Sequence, residues 1–275
     1  MIMISTISLL KIFQKMEADG FTLVNKGKNK KKHNTKRTTI IDNVSRDPID
    51  VAKVITKIDI AVNDLKNSIF FTDISSNLKN LDVKCKAFWC FGLGHVGDCI
   101  TARFQFALLI LLKDALGLNN DKVFLCDPIF YEEEIEIIKT YNFNVATENI
   151  ECMLECSIPT FLFLPHCPKQ LSNNLLYSNW SPSSLINLVI FSNSFNNIVE
   201  RTPTKVLAQN ASYIVDAIDN DLVTEIPVTN SFKFNDVFND LAIHTFSGVD
   251  QMNSEFWKSV KPVYDLCDTE FIMKS

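Results

Sequence analysis

Gly92, Gly94 and Gly97 form a Gly-x-Gly-x-x-Gly loop, the sharpest chemical feature of the chain. In such a loop the first glycine allows a tight strand-to-helix turn. The second lets backbone amides approach a phosphate or another anion, and the third lets the helix pack close to the strand. The context fits, because the apolar run Ala87–Phe91 precedes the loop and a long helical pattern follows it. The same spacing also suits a glycine turn that merely packs tightly. Asp127 closes a second apolar run, where an acid of a dinucleotide-type domain holds ribose hydroxyls. It lies 30 positions after Gly97, and Asp before Pro also opens ordinary turns. His166 and Cys167 end a further apolar run. An exposed imidazole there could serve as an acid, a base or a ligand, and equally as a capping or core histidine. Cys167-Pro168 is a dipeptide whose thiolate can bind haem iron. Asn193, with Ser194, follows another such run, where an Asx turn is the plainer explanation. Asn179-Trp180, Asn239-Asp240 and His244 add polar or aromatic groups. Cys152, Cys156, His166 and Cys167 have no regular zinc spacing. No metal site is expected, and the pattern singles out no catalytic group. A Gly-x-Ser-x-Gly elbow and a Walker lysine are both missing from the sequence.

The elements that must position these residues are short and alternating. Val51, Val54, Ile55, Ile58, Val62, Leu65 and Ile69 recur at spacings of three and four, predicting one amphipathic helix from about Asp47. Pro48 suits its first turn. Ala87–Phe91 predicts a strand buried on both faces. Asp98–Leu116 predicts a deeply placed helix ended by Gly117. Strands are expected at Val123–Cys126, 143–146, 161–164, 188–191 and 222–228. Helices are expected at Tyr131–Tyr141, with Ile135, Ile137 and Ile138 inward, at Ser172–Trp180 and at Thr202–Ile218. Strand–helix alternation over residues 87–230 predicts an α/β, Rossmann-like fold, its mostly parallel sheet flanked by helices on both faces. Right-handed crossovers put the strand C-termini on one edge, where ligands of such sheets bind.

Composition bounds the function. The chain has 275 residues, 47% hydrophobic and 21% charged, enough for one large domain or two small ones. Lys26, Lys28, Lys30, Lys31, Lys32, Lys36 and Arg37 cluster without an intervening acid. Removing them from a formal net charge of −5 leaves the rest near −12. Sequence-independent binding to nucleic-acid phosphates is therefore not expected. No apolar run reaches the ~18 residues of a membrane span, so no membrane role is expected. Eight cysteines without a Cys-x-x-Cys pair, and no signal-peptide pattern, predict reduced thiols in a cytosolic or nuclear protein. Residues 1–15 read as an extension without a structural role, with a short strand at Phe21–Val24. The expected organisation is a disordered basic segment over 1–40, a helical lead-in over 41–80, an α/β domain over 81–250 and a tail over 251–275.

Several of these motifs, in order, resemble the Sensitivity to Red-light Reduced domain family. They are Phe-Gly-Leu-Gly (91–94), Asp127-Pro128, Leu-Pro-His-Cys-Pro (164–168) and Asn-Leu-Leu-Tyr-Ser-Asn-Trp (174–180). Ser-Asn-Ser-Phe (192–195) and Phe-Asn-Asp-Leu-Ala-Ile-His (238–244) complete the set, and Asp-Gly-Phe-Thr-Leu-Val (19–24) resembles the family's N-terminus. The resemblance implies a cytosolic and nuclear regulatory protein linked to circadian timing, light signalling or haem metabolism. It implies no particular reaction. Two expectations stand together. One is a regulatory protein that binds partner proteins or a small molecule. The other is an enzyme using a nucleotide-type cofactor, S-adenosylmethionine or a nicotinamide, with haem as a further ligand to test.

Overall fold

The computed structural model describes residues 48–82, 84–265 and 271–273. The basic cluster, the extension at 1–15, the strand expected at Phe21–Val24 and Cys267 lie outside the described residues. The chain divides after Arg46 into two units, and the fold below is that of the second.

Two helices open it, α1 (Val51–Lys66) and α2 (Ile69–Asn80). The apolar spacing predicts one helix here. Ser68 interrupts it by accepting the Phe71 amide through Oγ at 3.1 Å, an N-cap that starts a new helix. Ile69 is consequently 72% exposed instead of joining the apolar face.

The β–α alternation follows: β1 (Ala87–Phe91), α3 (Ile100–Ala115), β2 (Val123–Cys126), α4 (Glu132–Thr140), β3 (Asn144–Val145) and β4 (Thr160–Leu164). Next come α5 (Lys169–Ser178), α6 (Pro182–Leu185) and β5 (Leu188–Asn193). After α7 (Phe195–Arg201), the helix expected over 202–218 is instead two short ones, α8 (Thr204–Asn210) and α9 (Ser212–Asp219). Pro203 separates α7 from α8, since a proline cannot donate the next helical hydrogen bond. β6 (Val223–Pro227) and β7 (Leu241–Phe246) complete the sheet.

The strand order is β3-β2-β1-β4-β5-β7-β6. The first five strands are parallel, and β7 runs antiparallel between β5 and β6. The segment holding Asn239, Asp240 and His244 is thus an interior strand with its entry loop. The unbroken apolar runs of β1, β4 and β5 bury both faces, as a parallel sheet requires. Phe88, Phe161 and Phe163 join α1 to α4 in one core, and Leu162, Leu164 and Ile190 join α5 to α9 in the other. Helices therefore cover both faces, and the fold is α/β of Rossmann-like type. Strand order reverses between β1 and β4, which puts the ligand crevice of such a sheet at their carboxyl ends. No helix among the described residues is long and apolar enough to cross a membrane.

Candidate functional site

The glycine loop leaves the tip of β1 at that reversal point. Gly92 has φ +61° and Gly94 φ +79°, values that favour glycine. A Cβ on Gly92 would stand 2.5 Å from Cys167 Sγ, so the thiol after β4 rests directly on the first turn of the loop. At Gly94 the space is open, with Ala102 Cβ 3.8 Å away, and only the backbone conformation asks for glycine.

The loop amides do not wait for an anion. Gly94 N–H donates to Asp127 Oδ2 at 2.8 Å, and Gly97 N–H donates to Glu134 Oε1 at 2.9 Å. Glu134 is fully buried. Its Oε2 also takes the Tyr131 amide at 3.1 Å and lies 2.8 Å from His95 Nδ1. The His95 ring stacks on Tyr131. From the other side, the buried Arg103 guanidinium donates to the Val96 and Gly97 carbonyls. Two carboxylates thus occupy two of the loop amides that could meet a phosphate.

Glu134 and Arg103 were not expected from the sequence. Glu134 reads as part of a solvated acidic run, although Ile137 and Ile138 follow at three and four residues and share its face. Ile135, expected inward, is only half-buried.

Asp127 lies where the sequence places it, at the tip of β2. Besides the Gly94 amide it accepts Ile129 N–H through Oδ1 at 3.1 Å, so it also opens a turn of the Asx kind. A carboxylate has about four acceptor positions, so it retains capacity for a ligand hydroxyl. His166, exposed and at φ +54°, directs Nε2 to the Val237 carbonyl at 2.9 Å. Asn193 donates through Nδ2 to the Cys167 carbonyl at 2.9 Å. Gly92, Gly94, Asp127, His166, Cys167 and Asn193 therefore gather on one rim. Gly97 joins them only through the buried Glu134.

Cys167 is buried, its thiol donates to the Phe91 carbonyl at 3.3 Å, and burial pushes its pKa far above the ordinary thiol range. Burial raises the Cys90, Cys126 and Cys152 thiols as well. A protonated thiol packed on Gly92 offers no thiolate for haem iron. No cluster that could hold a metal is found among the described residues. Asn179 and Trp180 leave the rim altogether. Asn179, at the end of α5, bonds Cys156 N–H and the Leu154 carbonyl, in the segment leading into β4.

Two clefts open on the rim. One, about 470 Å³, lies over the tips of β1, β2 and β4 and is lined by Gly92, Gly94, Asp127, Glu151, Cys152 and His166, among others. Phe271 and Ile272 cover part of it, and Asn149 Nδ2 holds the Ile272 carbonyl at 2.8 Å. The other, about 380 Å³, lies beyond His166, between Asn193 and α7.

Beside the second cleft, the family-like segments Ser-Asn-Ser-Phe and Phe-Asn-Asp-Leu-Ala-Ile-His meet. Ser194 Oγ donates to Glu225 Oε1 at 2.6 Å, and Asn196 N–H donates to Oε2 at 3.1 Å. The fully buried His244 sets Nε2 3.1 Å from the same Oε2 and Nδ1 3.1 Å from the Ile190 carbonyl. Burial alone would raise the Glu225 pKa. Hydrogen bonds from His244 and Ser194 outweigh it and hold the carboxyl at about 2.

The SRR1 domain family model matches residues 52–245. The chain belongs to the SRR1 family. An SRR1-like protein of Mus musculus is 35% identical over 138 residues, which are 50% of this chain and 54% of the mouse protein. An SRR1-like protein of Drosophila melanogaster is 31% identical over 177 residues, 63% of this chain and 61% of that protein. The match thus spans less than two thirds of either animal relative. Protein SENSITIVITY TO RED LIGHT REDUCED 1 of Arabidopsis thaliana is 25% identical over 224 residues, covering 76% of this chain and 80% of the plant protein. Among solved structures, the SRR1 chain is similar to an SAH-bound methyltransferase of Podospora anserina over 90% of its length and 98% of that chain. The identity is 8% and the TM-score 0.38.

Proposed function

We propose that this chain is a regulatory SRR1-family protein that works by binding a small ligand in the crevice over β1, β2 and β4, and that the ligand is a phosphate-free nucleoside of the S-adenosylmethionine type. The carrying observation is the engagement of the Gly94 amide by Asp127. With Glu134 on Gly97, it fills the phosphate cradle with negative charge, and a dinucleotide diphosphate would meet carboxylates where it needs donors. Asp127 and Glu151 line the crevice, and no lysine or arginine does so among the described residues. A sulfonium or an amino group suits that lining. The sheet order with a reversed seventh strand is also the plan of S-adenosylmethionine-dependent methyltransferases, an analogy of fold alone. A transferase is the second reading, favoured by the exposed His166 imidazole at the crevice wall.

The test is thermal melting of the full chain with S-adenosylmethionine, S-adenosylhomocysteine, NAD and haemin. S-adenosylmethionine at a hundred times its dissociation constant should stabilise the protein by about 2.7 kcal/mol. NAD and haemin should leave the midpoint in place, and Asp127→Asn should abolish the shift. No shift with S-adenosylmethionine, or an equal shift with NAD, would overturn the reading.

Haem metabolism receives no support from Cys167. A role in a light response or in timing is supported by the family and by the name of the plant relative. We keep a cytosolic and nuclear location as part of this proposal, on the cysteine pattern of the sequence and the family resemblance. A fluorescent fusion confined to the secretory route would contradict it.

A further inference from the structure

We propose that the 380 Å³ cleft between Asn193 and α7 is a second ligand subsite, built for a small carboxylate that also carries a hydroxyl. Three observations carry this. The first is charge. The crevice over β1, β2 and β4 presents Asp127 and Glu151, whereas this cleft presents Lys169 and an Arg201 whose Nη1 is paired with the single acid Asp240 at 2.9 Å, leaving one net positive charge. Two adjoining hollows of opposite sign are suited to two different ligands.

The second is the wall between them. His166, Cys167 and Pro168 line both clefts. The Val237 carbonyl can only accept, so His166 Nε2 carries the proton of the neutral ring and Nδ1 carries the lone pair. The residue is exposed, and Nδ1 has no hydrogen-bond partner among the described residues. A ligand hydroxyl can donate to it while a carboxylate meets Lys169 and the Arg201 donors that Asp240 does not take.

The third is backbone strain. Among the described residues, seven other than glycine have positive φ. Asp82, Asn142 and Asp221 are the second residues after helix ends, where a left-handed residue is ordinary. Of the remaining four, His166 and Asp240 line this cleft, and Glu151, Cys152 and again His166 line the acidic one. Such conformations collect where a site must be held in shape.

This subsite stands on geometry that does not depend on what fills the acidic crevice. L-malate is the probe, titrated into the full chain while the His166 ring resonances are followed by NMR, with His166→Asn for assignment. Malate should shift those resonances saturably. Lys169→Glu combined with Arg201→Glu should weaken binding at least tenfold, while Lys205→Glu, an exposed charge reversal on α8, should not. Succinate, with the same two carboxylates and no hydroxyl, should bind more weakly and move the His166 signals less. Absence of a malate response, or a response surviving the double reversal, would overturn the subsite. An equal response to succinate would remove His166 from the contact. A missing S-adenosylmethionine shift would leave the malate result standing, so the two proposals fail separately.

Discussion

At the scale of single residues, the glycine loop separates two demands that its motif merges. Gly92 must lack a side chain because Cys167 Sγ fills the space, and also because its φ is positive. Gly94 meets only the second condition. Gly92→Ala should therefore cost more than Gly94→Ala. Left-handed backbone costs about 1–2 kcal/mol for a residue with a Cβ, and overpacking adds about 1–3 kcal/mol. Gly94→Ala should thus lose about 1–2 kcal/mol and Gly92→Ala about 2–5 kcal/mol in urea unfolding. Combining Gly92→Ala with Cys167→Ala should return part of the difference, because it removes the clash and leaves the backbone strain. Equal losses for the two single variants would show that the thiol yields freely. The loop, Asp127, His166 and Asn193 were legible in the sequence because each follows an apolar run at a strand tip. Glu134 was not, because charge masks helical phase: three consecutive glutamates read as solvent-facing, and only the third shares the face of Ile137 and Ile138.

Among the elements, the junction of β5, α7, β6 and β7 is the one most exposed to acid. The Glu225 carboxyl has an ordinary value of 4.5 and a folded value of about 2. A depressed carboxylate contributes its stabilisation fully above 4.5 and loses it as pH falls towards 2. Unfolding midpoints measured against pH should therefore drop through that window. Glu225→Gln should flatten the drop and lower stability at neutral pH, since Ser194 and His244 lose their charged acceptor. A Gln variant with the parent pH profile would exclude Glu225 as the source. The same junction shows why part of the fold escaped the sequence. β1, β2, β4 and β5 announce themselves as unbroken apolar runs. β7 contains His244 and Thr245, and its burial makes sense only once Glu225 of the neighbouring strand is in place. Likewise Asp47 to Ile69 reads as one helix because apolar spacing continues across Ser68, and the cap is decided by a single hydroxyl.

For the molecule as a whole, the position of β7 separates chain order from spatial order. Among the described residues β6 pairs with β7 and with no other strand, and β7 lies between β6 and β5. A growing polypeptide thus finishes β6 at Pro227 with nowhere to dock it, and the open flank of β5 stays bare until Phe246 has been made. Unpaired flanks of that kind invite association with other chains. A fragment ending at residue 240 should accumulate in the insoluble fraction, whereas one ending at residue 265 should remain dispersed, as a sedimentation assay would read. Synthesis of this protein therefore contains an interval of vulnerability about twenty residues long. Slow translation across that stretch would prolong it, and a holding chaperone that shields bare strand flanks would have its most useful moment there.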